Sequence, residues 1–185
     1  MMQLPDWQTD FARSPLFHGL GQLAGAFSSH AAWPSLDCLN RLADERGIRN
    51  APGLPIRFVS QAARCSQRGY EGGIYTSGQV PTRQDNWHDF FNALIWLAWP
   101  QTKAALNACQ HGGLAQLENG HRGPVSDAAT LFDESGLVLV APDSRLAESL
   151  RAKRWREAFW EQRDRWQQAR VFVIGHSLLE KALAP

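Results

Sequence analysis

The chain has 185 residues, 44% of them hydrophobic, and a formal net charge of +1. That length fits one domain, 1–185, which can bury a core without disulfides or structural metal, and the composition excludes the disordered class. Nineteen basic side chains stand against 18 acidic ones, which argues against a nucleic-acid partner, because proteins that track phosphate backbones usually carry a clear basic excess.

The eight tryptophans are expected to be largely buried, since indoles left in solvent make adhesive patches. Cys38, Cys65 and Cys109 are widely spaced and form no Cys-x-x-Cys pair, so they are expected to be free thiols. Met1 to Asp6 carries no basic stretch followed by an apolar run. Phe90 to Pro100 is far too short to span a bilayer. A cytosolic protein without a membrane partner is expected.

In chain order, Trp33 to Arg46 reads as a helix, with Pro34 in its first turn and Gly47 as its stop. Pro55 to Val59 reads as a strand. Residues 64–86, dotted with Gly69, Gly72, Gly73 and Gly78, read as a loop or loose hairpin. They hold no Gly-x-Gly-x-x-Gly and no Gly-Lys-Ser/Thr ending, so turn chemistry is expected rather than phosphate binding. Helices follow at about 86–99 and 102–111, parted by Pro100, with Asp85 or Asn86 able to cap the first and Thr102 the second. Two β-type runs around Asp133-Glu134-Ser135-Gly136 predict an antiparallel hairpin over 128–140. Asp143 caps a helix to about Leu150, and a second runs from about Arg154 to Gln168. Val171 to Ile174 is a strand, and a closing helix spans Ser177 to Leu183. The order lacks regular βα alternation. The predicted fold is α+β, with several helices around a small, mainly antiparallel sheet and a buried central helix at 86–99.

That central helix carries polar residues where they are costly. At about 100° per residue, apolar side chains cover more than half its circumference, while Asp85, His88, Asp89 and Asn92 share one arc. Trp96 and Trp99 lie on the same side, so the arc is expected to face a partly enclosed space, where each polar group needs a partner. Lys103, Asn107 and His111 repeat the pattern at i, i+4 and i+8 on the next helix. The two stripes could meet in a site in which Asp85 orients His88, while Asn92 and Lys103 bind an anionic or carbonyl group. The competing structural reading is a buried hydrogen-bond network that locks the helices together.

Gly175-His176-Ser177 follows a strand and opens a helix. The nucleophile elbow needs a Gly where Leu179 stands and a His after the Ser, so that reading is rejected. His176 and Glu180 lie at i, i+4, as an acid–base or metal-ligand pair or as a local ion pair. Asp127, Asp133 and Glu134 read as turn formers that could join His88, His111, His121 or His176 around a metal. No fixed His-Glu-x-x-His spacing is present. His88, His111 and Asp133 are the candidate metal ligands. From Arg151 to Arg170, basic residues interleave with Trp155, Trp160 and Trp166. Trp155, Phe159, Gln162 and Trp166 form one stripe of a solvated amphipathic helix.

The segments Val80 to Arg83, Asn86 to Leu94, Pro100 to Asn107, Thr130 to Glu134 and Gly175 to Lys181, in this order along the chain, resemble a proteobacterial family of domains of unknown function, number 3025. The resemblance runs from about Trp33 to the end. Members tend to carry an Arg where this chain has Ser126, and many continue past the terminal segment. The resemblance implies a bacterial cytosolic protein and no particular reaction, substrate or cofactor. It places His88, Asp89, Asn92, Lys103, Asn107, Asp133, Glu134, His176 and Glu180 inside family segments. Two functions follow: an enzyme acting on a small molecule or nucleotide, with metal-assisted hydrolysis one option and His88 as general base or ligand, or a non-enzymatic binding or scaffolding protein. Convergence of the polar atoms on an open pocket favours the first. A sealed core favours the second.

Overall fold

A computed structural model describes residues 6–61, 69–115 and 123–183. Its architecture is α+β, as expected, but the sheet is divided. β1 (Arg57–Ser60) pairs in parallel with β2 (Gln79–Thr82), with Phe58 opposite Val80. β3 (Leu137–Val140) pairs antiparallel with β4 (Arg170–Val173), with Val138 opposite Phe172. One mainly antiparallel sheet is thus replaced by two ladders of two strands, one of each sense.

Helices supply the rest: α1 (Gln22–Ser28), α2 (Leu36–Glu45), α3 (Gly69–Ser77), α4 (Trp87–Ala98), α5 (Pro100–Ala115), α6 (Pro124–Ser135), α7 (Arg145–Arg151) and α8 (His176–Lys181). α4 is the centre, as its sequence predicted. Phe91, Ala93, Leu94 and Ile95 are fully buried, and each of the three larger side chains contributes about 1.5–3 kcal/mol on leaving water. Asn86 Oδ1 caps the helix by accepting from the Asp89 N–H at 3.1 Å. The N-terminal segment closes one side with rings. Trp7 stacks on Trp87 at 5.0 Å, and Trp33 packs against the same indole at 4.7 Å.

Three expectations are corrected. The glycine-rich stretch predicted as a loop contains helix α3, which is the crossover a parallel β1–β2 pair requires. Gly72 and Gly73 weaken its intrinsic propensity by about 1 kcal/mol each. Tertiary bonds hold it: buried Asn50 donates to the Ile74 and Tyr75 carbonyls, both at 2.9 Å.

The predicted hairpin over 128–140 is absent. Residues 124–135 are helical, and β3 finds its partner far along the chain in β4. Pro124 suits a first helical turn, and the Gly136 N–H closes the last one on the Phe132 carbonyl at 2.7 Å. Asp133-Glu134-Ser135-Gly136 is therefore a helix end rather than a hairpin tip.

The predicted Arg154–Gln168 helix breaks into a π-type turn at Glu157–Glu161 and a 3-10 turn at Arg163–Gln167. Trp155 and Phe159 of its stripe are 55% and 56% exposed and Trp160 beside them 66%, whereas the other six tryptophans are buried or half-buried. Cys38 and Cys109 are free thiols, and Cys65 falls outside the described residues. Among the described residues no helix is long and apolar enough to cross a membrane.

Candidate functional site

The polar arc of α4 opens onto a pocket of about 370 Å³, walled also by α3, β2, α5, α6 and the start of α8. His88 and Asp89 come from the first turn of α4, Asp133 and Glu134 from the end of α6, and His176 from the first residue of α8. Gly175 makes this meeting possible. A Cβ there would lie 2.5 Å from the Ser135 Cα and 2.6 Å from the Glu134 carbonyl oxygen, so only glycine lets α8 begin hard against the end of α6. The Gly175 N–H also donates to the Gly136 carbonyl at 2.8 Å.

Each histidine has one ring nitrogen fixed by a partner. His176 Nδ1 lies 2.8 Å from the Asp133 backbone carbonyl, an acceptor only, so Nδ1 carries the proton and Nε2 keeps its lone pair. His88 Nδ1 lies 3.0 Å from the Asp89 carboxylate, which sets the same tautomer. Asp89 is held in turn by Arg83, whose backbone N–H, Nε and Nη2 all donate to it at 2.8 to 2.9 Å. Both free Nε2 atoms face Glu134, His88 at 3.6 Å and His176 at 3.7 Å. The two rings meet edge to face at 4.5 Å.

These distances decide between two arrangements. Direct hydrogen bonds from imidazole to carboxylate lie near 2.8 Å, so 3.6–3.7 Å is too long. Two ligands on one tetrahedral zinc, at bond lengths of about 2.0–2.2 Å, lie about 3.4 Å apart. His88, Glu134 and His176 offer ligand atoms that all fall within 4.8 Å of one another. Fixing each histidine through its second nitrogen is also how proteins orient metal-binding imidazoles.

The electrostatics agree with a cation. Among the described residues, four carboxylates, from Glu71, Asp89, Asp133 and Glu134, and the Arg83 guanidinium line the pocket. The Lys103 ammonium is buried beneath, 2.5 Å from Asp133 Oδ1. The hydrogen bond to Asp89, and then the nearby Glu134 carboxylate, raise the His88 pKa to about 9. Burial, then the Lys103 charge, lowers that of His176 to about 4. Burial disfavours the Asp89 carboxylate, but the hydrogen bonds from His88 and Arg83 outweigh it and hold that group well below the usual carboxylate range. Glu134 is lowered too, first by His88.

Of the residues singled out from sequence, His88, Asp89, Asn92, Asp133 and His176 line the pocket together. Asp85 does not: it is exposed, at φ 53, and Asp89 is the residue bonded to His88. Glu180 lies on α8 outside the lining residues, where its charge acts on Arg83. Lys103 is turned to Asp133, and Asn107 donates to the Glu71 carboxylate at 2.7 Å. The stripe on α5 therefore meets α6 and α3 rather than the arc of α4. His111 stacks on Tyr75 at 4.1 Å, away from the His88 cluster, and His121 falls outside the described residues. Glu134, named with Asp127 and Asp133 as a carboxylate that could join the histidines, lines the pocket too, and Tyr70, Glu71 and Arg83 complete the site without having been singled out as its members. Tyr70 accepts from Asn92 Nδ2 at 2.9 Å, and burial, then Glu71, raises its pKa far above the ordinary phenol value.

The matching family, described as "Protein of unknown function (DUF3025)", covers residues 56–185. The chain belongs to it, and every pocket residue named above lies within the matched span. No curated protein and no solved structure matches the chain.

Asp89→Asn tests the anchoring of His88. The substitution weakens both the Arg83 fork and the hold on Nδ1. Zinc affinity is expected to fall about 10–100-fold, as for other partners that orient a metal ligand. Unchanged affinity by calorimetry would show that Asp89 does not position His88.

Proposed function

We propose that this protein is a bacterial, cytoplasmic metal-dependent hydrolase whose divalent cation, of the zinc class, is held by His88 Nε2, His176 Nε2 and the Glu134 carboxylate. The observation that carries the reading is the convergence of these three groups on the pocket, at spacings suited to a shared metal and too long for direct hydrogen bonds. Two histidines and a glutamate would supply three protein ligands and so leave one position for water or substrate, the pattern of catalytic rather than structural zinc. A metal so held lowers the pKa of bound water towards 7 and polarises a substrate carbonyl or phosphoryl oxygen.

The chain's own residues have defined tasks in this reading. The Asp133 carbonyl and the Asp89 carboxylate fix the two imidazoles. Asn92 holds Tyr70, which leaves the phenol proton available to a ligand oxygen. The scaffolding alternative accounts for the sealed pairs Lys103–Asp133 and Asn107–Glu71. It leaves unexplained why three ligating groups turn towards open space.

Metal binding requires neutral imidazoles. His88, with its pKa pushed up to about 9, carries a proton at neutral pH, whereas His176, lowered to about 4, does not. Zinc binding at pH 7 is therefore expected to release about one proton, and affinity should rise with pH up to about 9. Calorimetry in buffers of different ionisation enthalpy measures that proton. Release of none, or affinity that falls with rising pH, would contradict the assignment of His88. The activity itself is tested by offering zinc-loaded protein a panel of chromogenic esters, amides and phosphodiesters. Zinc-dependent turnover that Glu134→Ala removes supports the proposal. Tight zinc binding without turnover of any class favours the binding protein.

A further inference from the structure

The stretch from Arg151 to Arg170 plays no part in the pocket, and its chemistry is distinctive. It carries seven Arg and Lys against three Asp and Glu, a net charge of +4 in a protein whose net charge is +1. The π-type turn at Glu157–Glu161 pushes Phe159 and Trp160 outward, 56% and 66% exposed. Trp155 stands beside Phe159 at 6.4 Å, and Trp166 stacks on Phe159 at 5.3 Å. The turn is braced from within. Gln162 donates to Ser149 Oγ at 2.8 Å and to Glu157 Oε1 at 2.9 Å, and Trp166 Nε1 donates to the Ala158 carbonyl at 2.8 Å. A segment built to hold aromatic rings in solvent invites a partner.

We propose that this segment docks the protein on an anionic lipid surface, with Trp155, Phe159 and Trp160 entering the headgroup region. Arg154, Arg156 and Arg165 are held by Glu157, Glu161 and Asp143, so the exposed Arg151 and Lys153 supply the charge that meets acidic lipid. Aromatic rings with polar edges favour that depth, and basic groups beside them add attraction to anionic headgroups. Charge complementarity thus selects an acidic partner, and ring geometry selects lipid over single-stranded nucleic acid. Nucleobases need open aromatic faces on which to stack. Trp166 stacks on Phe159 at 5.3 Å, and the Arg163 guanidinium lies 5.5 Å over the Trp160 ring. Exposed ring edges suffice for insertion into lipid. No helix among the described residues could cross the bilayer, so the attachment is peripheral.

Co-sedimentation of the full chain with phosphatidylcholine vesicles, with and without about one-quarter phosphatidylserine, tests this directly. The expected result is binding to the acidic vesicles alone, weakened at least about tenfold in about 0.5 M salt. Trp160→Ser removes one exposed ring, and Arg151→Glu with Lys153→Glu removes exposed charge. Each is expected to weaken binding at least about tenfold, because a rim charge or an inserted ring adds on the order of 1 kcal/mol or more. Circular dichroism confirms that the variants fold. Equal binding to both vesicle types, no binding to either, or binding to acidic vesicles that neither variant weakens would overturn the proposal. So would preferential binding of an oligothymidine, or a stable dimer that Trp160→Ser dissociates.

Discussion

Lys103→Met is expected to be the most destabilising single change at the pocket, by about 3–5 kcal/mol. Both members of the Lys103–Asp133 pair are nearly inaccessible, with side chains 5% and 7% exposed. Removing the ammonium leaves an uncompensated carboxylate in a site that water barely reaches. That loss is a large share of the about 5–15 kcal/mol by which a domain is stable. Replacing both partners, Lys103→Met with Asp133→Leu, removes the desolvated charges together and should recover much of the loss. Urea unfolding of the three variants measures it. A single-variant cost below about 1 kcal/mol would mean that solvent screens the pair. The consequence reaches the site, because the Asp133 backbone carbonyl fixes the His176 tautomer.

His88→Ala should behave in the opposite way. Its partners, Asp89 and Glu134, face a pocket, and Asp89 keeps all three donors of Arg83. Water can solvate what the imidazole leaves, so the metal-free protein should lose less than about 1 kcal/mol, the lower end of the cost of an orphaned polar group. What disappears is the response to metal. Zinc at about 100 times its Kd adds about 2.7 kcal/mol to the parent's stability, which raises the melting temperature by about 5–10 °C in a chain of this size. In His88→Ala and Glu134→Ala that rise should vanish. Strong destabilisation of both variants without metal, and no zinc-induced rise in the parent, would assign these residues to a structural network instead.

The sequence disclosed the half of the site that lies on α4. His88, Asp89 and Asn92 stood out because a polar arc on a mostly apolar helix is costly unless it has a purpose. The partner of His88 was less accessible to that reasoning. Helical spacing pointed to Asp85, whereas Arg83 draws the adjacent Asp89 carboxylate back towards the helix start and across the imidazole. Glu134 was offered as a ligand, but on a mistaken local structure. Asp-Glu-Ser-Gly between β-type runs resembles a hairpin tip, whereas the first run is helical and the second pairs with the distant β4. Gly123-Pro124 was the available signal, since proline after a flexible residue suits a helix start. Tyr70 and Glu71 were lost with α3, whose glycines argued for a loop while long-range bonds from Asn50 and Asn107 made it a helix.

The central claim concerns one point in space, and anomalous scattering at the zinc edge from crystals grown with zinc examines that point. The expected result is a single peak among His88 Nε2, His176 Nε2 and the Glu134 carboxylate, with bonds of about 2.0–2.2 Å and a position open to the pocket. Absence of a peak, with Glu134 closing onto the two imidazoles in direct hydrogen bonds below about 3.2 Å, would contradict it.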